Sequence, residues 1–74
     1  MATTRATVPE IAEGMLRRYS SPKIALEMAH IHSQDYVPGS RTPDSSRYAH
    51  WQAVAHEIMR QAHVDMDGRP RRRL

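Results

Sequence analysis

Residues 7–19 read TVPEIAEGMLRRY, and Val8, Ile11, Ala12, Met15, Leu16 and Tyr19 recur there at helical spacing, which puts all six on one stripe. Thr7 and Glu10 stand three apart, the spacing of a capping box. Pro9 lies in the first turn, where its missing N–H has no intrahelical partner to lose. The stretch predicts a first helix from about Thr7 to Tyr19 with one apolar face.

Downstream of it, Ser20 and Ser21 followed by Pro22 combine a stop with a restart, because a Ser cap before Pro is a helix-start signal. A second helix is expected over 22–33. Its apolar stripe is Ile24, Ala25, Met28 and Ile31, with Leu26 and Ala29 off that stripe as a second surface. A third helix is expected over 45–64, with Tyr48, Trp51, Ala55, Ile58, Met59 and Ala62 on one face, Val54 at its edge, and Asp44, Ser45 and Ser46 as candidate caps. Trp51, the largest side chain, is expected to anchor the core against Leu16 and Met28.

Between the second and third helices, residues 33–46 read SQDYVPGSRTPDSS, whose Pro-Gly and Pro-Asp pairs mark a loop. Tyr36 and Val37 are expected to tuck onto the core. After residue 64 the run Asp65, Met66, Asp67, Gly68, Arg69, Pro70 ends regular structure. The fold class is therefore all-α: a small three-helix domain over 7–64, a disordered N-terminus over 1–6, a long loop before the third helix, and a flexible, disordered Arg-rich tail over 65–74. Removal of residues 69–74 is expected to leave the melting temperature unchanged.

The 74 residues include no Cys, so a disulfide staple and any thiolate metal site are both excluded. Arg69, Arg71, Arg72 and Arg73 place +4 in the last six residues, whereas residues 1–68 hold seven basic and eight acidic side chains, a net of −1. The body is near neutral and the end is basic. No run approaches the ~18 apolar residues of a membrane span, and residues 1–8 lack the apolar segment of a signal peptide, so a cytoplasmic protein with no membrane partner is expected.

Five His residues invite a metal or acid–base reading. His56, Glu57 and Arg60 form H-E-I-M-R, where the zinc motif H-E-x-x-H needs a second His in the place Arg60 holds. A guanidinium cannot ligate zinc, so no metal site is expected. His56 and His63 stand seven apart, about 10 Å along a helix, too far to share an ion unaided. No Gly-rich element builds an oxyanion hole or phosphate cradle, and neither enzymatic activity nor a cofactor is expected. A helix-turn-helix over residues 11–31 is disfavoured because Glu27 would face the phosphates.

The spacing I-A-x-x-M-L-x-R-Y at Ile11 to Tyr19, A-x-x-x-A at Ala25 to Ala29 and W-x-x-V-A-x-x-I at Trp51 to Ile58 resembles short helical proteins of unknown function from GC-rich proteobacteria and their prophages. The resemblance spans about two thirds of the chain, lies almost wholly at core positions and carries over no site residue. It implies a prophage or mobile-element accessory protein acting by stoichiometric binding, as anti-CRISPR inhibitors do.

The expected function is that of a non-enzymatic interaction protein with a protein partner, its contacts drawn from His50, His56, Arg60 and His63 on the third helix and Tyr36 in the loop. The alternative is nucleic-acid binding through Arg17, Arg18, Arg69, Arg71, Arg72 and Arg73, since clustered Arg side chains bind phosphate in a salt-sensitive way. A homodimer is also expected, because Leu26, Ala29, Val54 and Ala53 lie off the main stripes and would be wet in a monomer.

Overall fold

Each helix begins on a cap its sequence offers. Thr7 Oγ1 accepts the Glu10 N–H at 3.4 Å while the Glu10 carboxylate accepts the Thr7 N–H at 3.3 Å, closing the capping box that starts α1 (Val8–Arg18). Ser21 Oγ accepts the Ile24 N–H to start α2 (Pro22–Gln34), and Asp44 Oδ1 accepts the Arg47 N–H to start α3 (Ser45–Ala62). The computed structural model describes residues 6–71, and among these the only strand-like pairing is a single bridge between Val64 and Pro70.

α3 ends two residues before the expected Val64, because His63 turns left-handed (φ 54°) and the Val64 N–H donates back to Met59 O. That turn swings Val64 into the core, where it is buried. The body is built on α3: α1 and α2 each pack against it and scarcely touch one another. Gln61 Nε2 donates to Pro9 O at 2.9 Å, pinning the start of α1 to the end of α3. Gln52 Nε2 donates to Ser33 Oγ at 3.2 Å, and Gly68, just past α3, sits on Lys23. α2 therefore runs antiparallel to α3.

The buried apolar residues are Ala12 and Met15 of α1, Ala25, Leu26 and Ala29 of α2, Val54, Ile58 and Met59 of α3, and Val64. Alanines at the contacts let the helices approach closely. Ser33, fully buried, donates its hydroxyl to His30 O at 2.7 Å and accepts from Gln52, so a polar group in the core is fully paired.

Three packing expectations are corrected. α2 is turned about a third of a revolution from the expected stripe: Ala25 stays buried and is joined by Leu26 and Ala29, while Ile24 and Ile31 are 39% and 54% exposed. The physical reason is that α3 is the one helix α2 packs against closely, so one face is covered, and the face with two alanines and a hydrogen-bonding Ser33 seats closest. Val54 is likewise fully buried rather than peripheral. Trp51 is half-buried, not the centre of the core. Its indole stacks on His32 at 4.5 Å and meets His50 edge-on at 5.5 Å, at the margin of a core too thin to enclose it, and Val54 and Ile58 fill the centre.

The loop between α2 and α3 closes on itself. Asp44 N–H donates to Tyr36 O at 3.1 Å, Thr42 Oγ1 to Asp35 O at 3.0 Å and Ser40 N–H to Val37 O at 3.1 Å. Tyr36 and Val37 are half-buried within it but stand outside the hydrophobic cluster of the core. Of the stretch expected as a flexible tail, residues 65–71 form a hairpin: Asp65 N–H donates to Arg69 O at 2.8 Å and Arg71 N–H to His63 O at 2.9 Å. Residues 1–5 of the expected disordered N-terminus and residues 72–74 of the tail lie outside the described residues.

The orientation of α2 makes Leu26 and Ile31 unequal. Leu26→Ala is expected to cost about 2–5 kcal/mol and Ile31→Ala no more than about 0.5 kcal/mol, measured by denaturant unfolding. Equal losses would mean that α2 is seated on the other stripe.

Candidate functional site

The C-terminal hairpin is the element that shapes the site. Asp65 Oδ1 accepts the N–H groups of Asp67 (2.9 Å) and Arg69 (3.0 Å), and the Gly68 N–H donates to Asp65 O, so one aspartate organises the whole turn. Gly68 takes φ 78°, and a Cβ there would fall 2.6 Å from Lys23 Cβ and 2.7 Å from Lys23 Cα. Only glycine satisfies both the left-handed backbone and this approach to α2. The hairpin thereby closes one end of the cleft between α2 and α3.

The result is a groove of about 690 Å³. Leu26, Ala55 and Met59 line it from within, and Ile31 and the 83% exposed Met66 stand on its apolar rim. Its polar rim carries Lys23, Arg69, Glu27 and Asp67, two charges of each sign, together with His30, Gln52 and His56. Apolar walls with a few polar groups at the edge can hold an apolar side chain or a helix face. Among the described residues, no three His, Asp or Glu side chains converge on a point where a metal ion would sit, and no helix is long and apolar enough to cross a membrane.

Of the residues expected to contact a protein partner, His56 lines this groove. Arg60 lies one turn further along α3 and is held by the Glu57 carboxylate, its Nε donating at 3.0 Å. His63 is the left-handed cap whose carbonyl accepts from Arg71, and His50 packs edge-on to Trp51. Tyr36 lies under the Arg47 guanidinium, 5.6 Å from the ring centroid. Tyr36 is tied to the start of α3 and His63 caps its end, about 28 Å away at 1.5 Å per residue, so the five do not form one patch.

The Arg residues expected to bind phosphate are also dispersed. Arg17 pairs with Glu13 at 2.5 Å, and Arg18 ends α1. Arg69 lines the groove beside Asp67, and Arg71 directs its Nε to Val64 O at 3.0 Å. Arg72 and Arg73 lie outside the described residues. Lys23, His30, Ile31 and Met66, not expected from the sequence as contact residues, complete the groove together with Leu26, which was expected as a surface position. The Asp-Gly pair at Asp67 and Gly68, between Val64 and Pro70, was a readable hairpin signal for the element that closes it.

Glu57 is the most constrained carboxylate near this face. The Arg60 guanidinium and the Gln61 amide, both donating to it, hold its pKa below the ordinary carboxylate value. Glu10 is lowered in the same direction by the Thr7 hydroxyl and backbone. No family model, curated protein or solved structure matches the chain. The resemblance to short prophage proteins thus rests on core spacing alone.

Three outcomes follow from these contacts. Gly68→Ala is expected to destabilise by about 1–3 kcal/mol through backbone strain and displacement of Lys23, seen as a lowered melting temperature. Removal of residues 69–74 takes away the Arg69 and Arg71 backbone bonds and lowers it too, in place of the neutral effect expected from composition. For Glu57, the folded pKa lies below the unfolded one, so its contribution is complete above the unfolded value and fades as pH falls through the folded value. The melting-temperature gap between the wild type and Glu57→Gln should accordingly be widest near neutrality and close on acidification below about pH 4.

Proposed function

We propose that this chain is a small, non-enzymatic interaction protein that binds a protein partner stoichiometrically, taking an amphipathic helix of that partner into the groove between α2, α3 and the C-terminal hairpin. The observation that carries the reading is the position of Ile31 and Met66: two of the three large apolar side chains exposed among the described residues flank one groove. Large apolar groups gathered at a concavity and rimmed by charge mark interaction surfaces, whereas scattered ones do not. A helix laid there would seat its apolar residues on Leu26, Ala55 and Met59 and present its polar edges to Lys23, Arg69, Glu27 and Asp67.

The mixed rim favours a protein over a nucleic acid, because Glu27 and Asp67 repel phosphate at the place where Lys23 and Arg69 would attract it. The mobile-element setting that the resemblance implies, with a stoichiometric inhibitor of the anti-CRISPR type as one example, agrees with this reading.

The test compares captured proteins rather than capture alone. A partner recovered from source-cell lysate by the wild type should be lost with an Ile31→Asp, Met66→Asp double variant and kept when Arg17 and Arg18 are changed to Ala, and the purified pair should form a one-to-one complex. Retention by the double variant would reject the groove. Binding of random duplex DNA that weakens steeply with salt and depends on the Arg residues would replace the protein partner with nucleic acid.

A further inference from the structure

Of the chain's five methionines, four lie among the described residues, and the fold exposes them unequally. Met15 and Met59 are buried at 9% and 7% exposure, Met28 is half-buried on α2, and Met66 is 83% exposed in the turn of the C-terminal hairpin. Met66 stands on the rim of the groove that Lys23, Asp67 and Arg69 also line. The chain holds no Cys, so no thiol competes with this thioether for an oxidant.

The hairpin does not depend on the Met66 side chain. Its turn is held by the Asp65 carboxylate, which accepts the N–H groups of Asp67 and Arg69, by the Gly68 N–H donating to Asp65 O, and by the seating of Gly68 on Lys23. A change at the Met66 sulfur therefore alters the rim and leaves the fold in place. Met59 is the opposite case: it belongs to the core as well as lining the groove, so a reagent reaches its sulfur only when the packing opens.

We propose that Met66 is a reversible oxidation site at which hydrogen peroxide switches off binding in the groove. The inference rests on the groove being a docking surface and adds its regulation. The Met66 sulfur donates an electron pair to one peroxide oxygen, and an S–O bond forms as the O–O bond breaks. The departing hydroxide takes the proton of the new S–OH and leaves as water. Sulfur loses two electrons and the peroxide gains them. A flexible apolar thioether becomes a polar sulfoxide, and an apolar group resting on it must cover an S–O dipole that either keeps its water or is buried without it. In both cases the apolar contact is lost. A methionine sulfoxide reductase restores it: the sulfoxide oxygen departs as water while two thiols are oxidised to a disulfide.

The test uses the full-length protein and the apolar dye anilinonaphthalene sulfonate as the groove probe. Dilute hydrogen peroxide should add one oxygen to Met66 at least ~10-fold faster than to Met15 or Met59, read by peptide mass mapping, with the melting temperature unchanged. Dye affinity should fall about 5-fold on oxidation, the loss of part of one methionine's apolar contact, and return after treatment with methionine sulfoxide reductase and dithiothreitol. Each protein is compared with its own untreated sample, and Met66→Leu, which has no sulfur there to oxidise, should change less than ~2-fold under the same treatment. Ile31→Asp, folded by circular dichroism, should bind the dye weakly from the start.

Oxidation of Met15 or Met59 as fast as Met66, dye binding that survives complete oxidation of Met66, or a Met66→Leu protein as sensitive as the wild type overturns the proposal. A melting temperature that falls with Met66 oxidation overturns it too, because the sulfoxide is then a structural lesion. In each of these cases, dye lost with Ile31→Asp leaves the groove standing as a docking surface. Dye that binds Ile31→Asp as well as the wild type, or binds neither, rejects the groove reading itself and the switch with it, even where Met66 oxidises first.

Discussion

The packing of both flanking helices on α3, and hardly on each other, governs the rest of this structure. A helix supported from one side can bury one face, and the shared surface of α3 is limited to what Val54, Ile58, Met59 and their neighbours provide. Close approach is won with alanines at 12, 25 and 29 instead of large side chains. The apolar residues that do not fit against α3 are left at the surface, and Ile31 among them borders the groove.

Trp51 illustrates the constraint. An indole in a core this thin has no enclosed position, so it lies at the margin with one face on the His32 ring and an edge on His50. The same limitation leaves Ile24 and Ile31 outside while Leu26, two positions from Ile24, is inside. Each exposed isoleucine is a consequence of where α2 makes its closest contact.

The hairpin after α3 converts a shallow cleft into a groove with an end. It depends on local chemistry: a left-handed His63 that stops the helix, an Asp65 carboxylate that collects two backbone N–H groups, and a glycine that fits against Lys23 where any side chain would collide. Met66 is displayed by this turn, exposed at the rim because the backbone on both sides of it is tied down.

Local signals in the sequence determined the three helices, their caps at Thr7, Ser21 and Asp44, and the all-α class, because capping and 3.6-residue periodicity act over a few neighbouring residues and need no partner. The loop over 35–44 and the Asp-Gly turn were legible as irregular chain for the same reason, though not the bonds that close them. Which face of α2 is buried was decided by the tertiary structure alone. The stripe with the larger apolar side chains, Ile24, Met28 and Ile31, is not the one that packs closest, and the choice falls to the one whose small residues and Ser33 fit α3. The groove was equally out of reach, since Lys23, Ile31, His56 and Met66 stand far apart in the chain and meet only because α2 runs antiparallel to α3 and Gly68 brings the hairpin back against it.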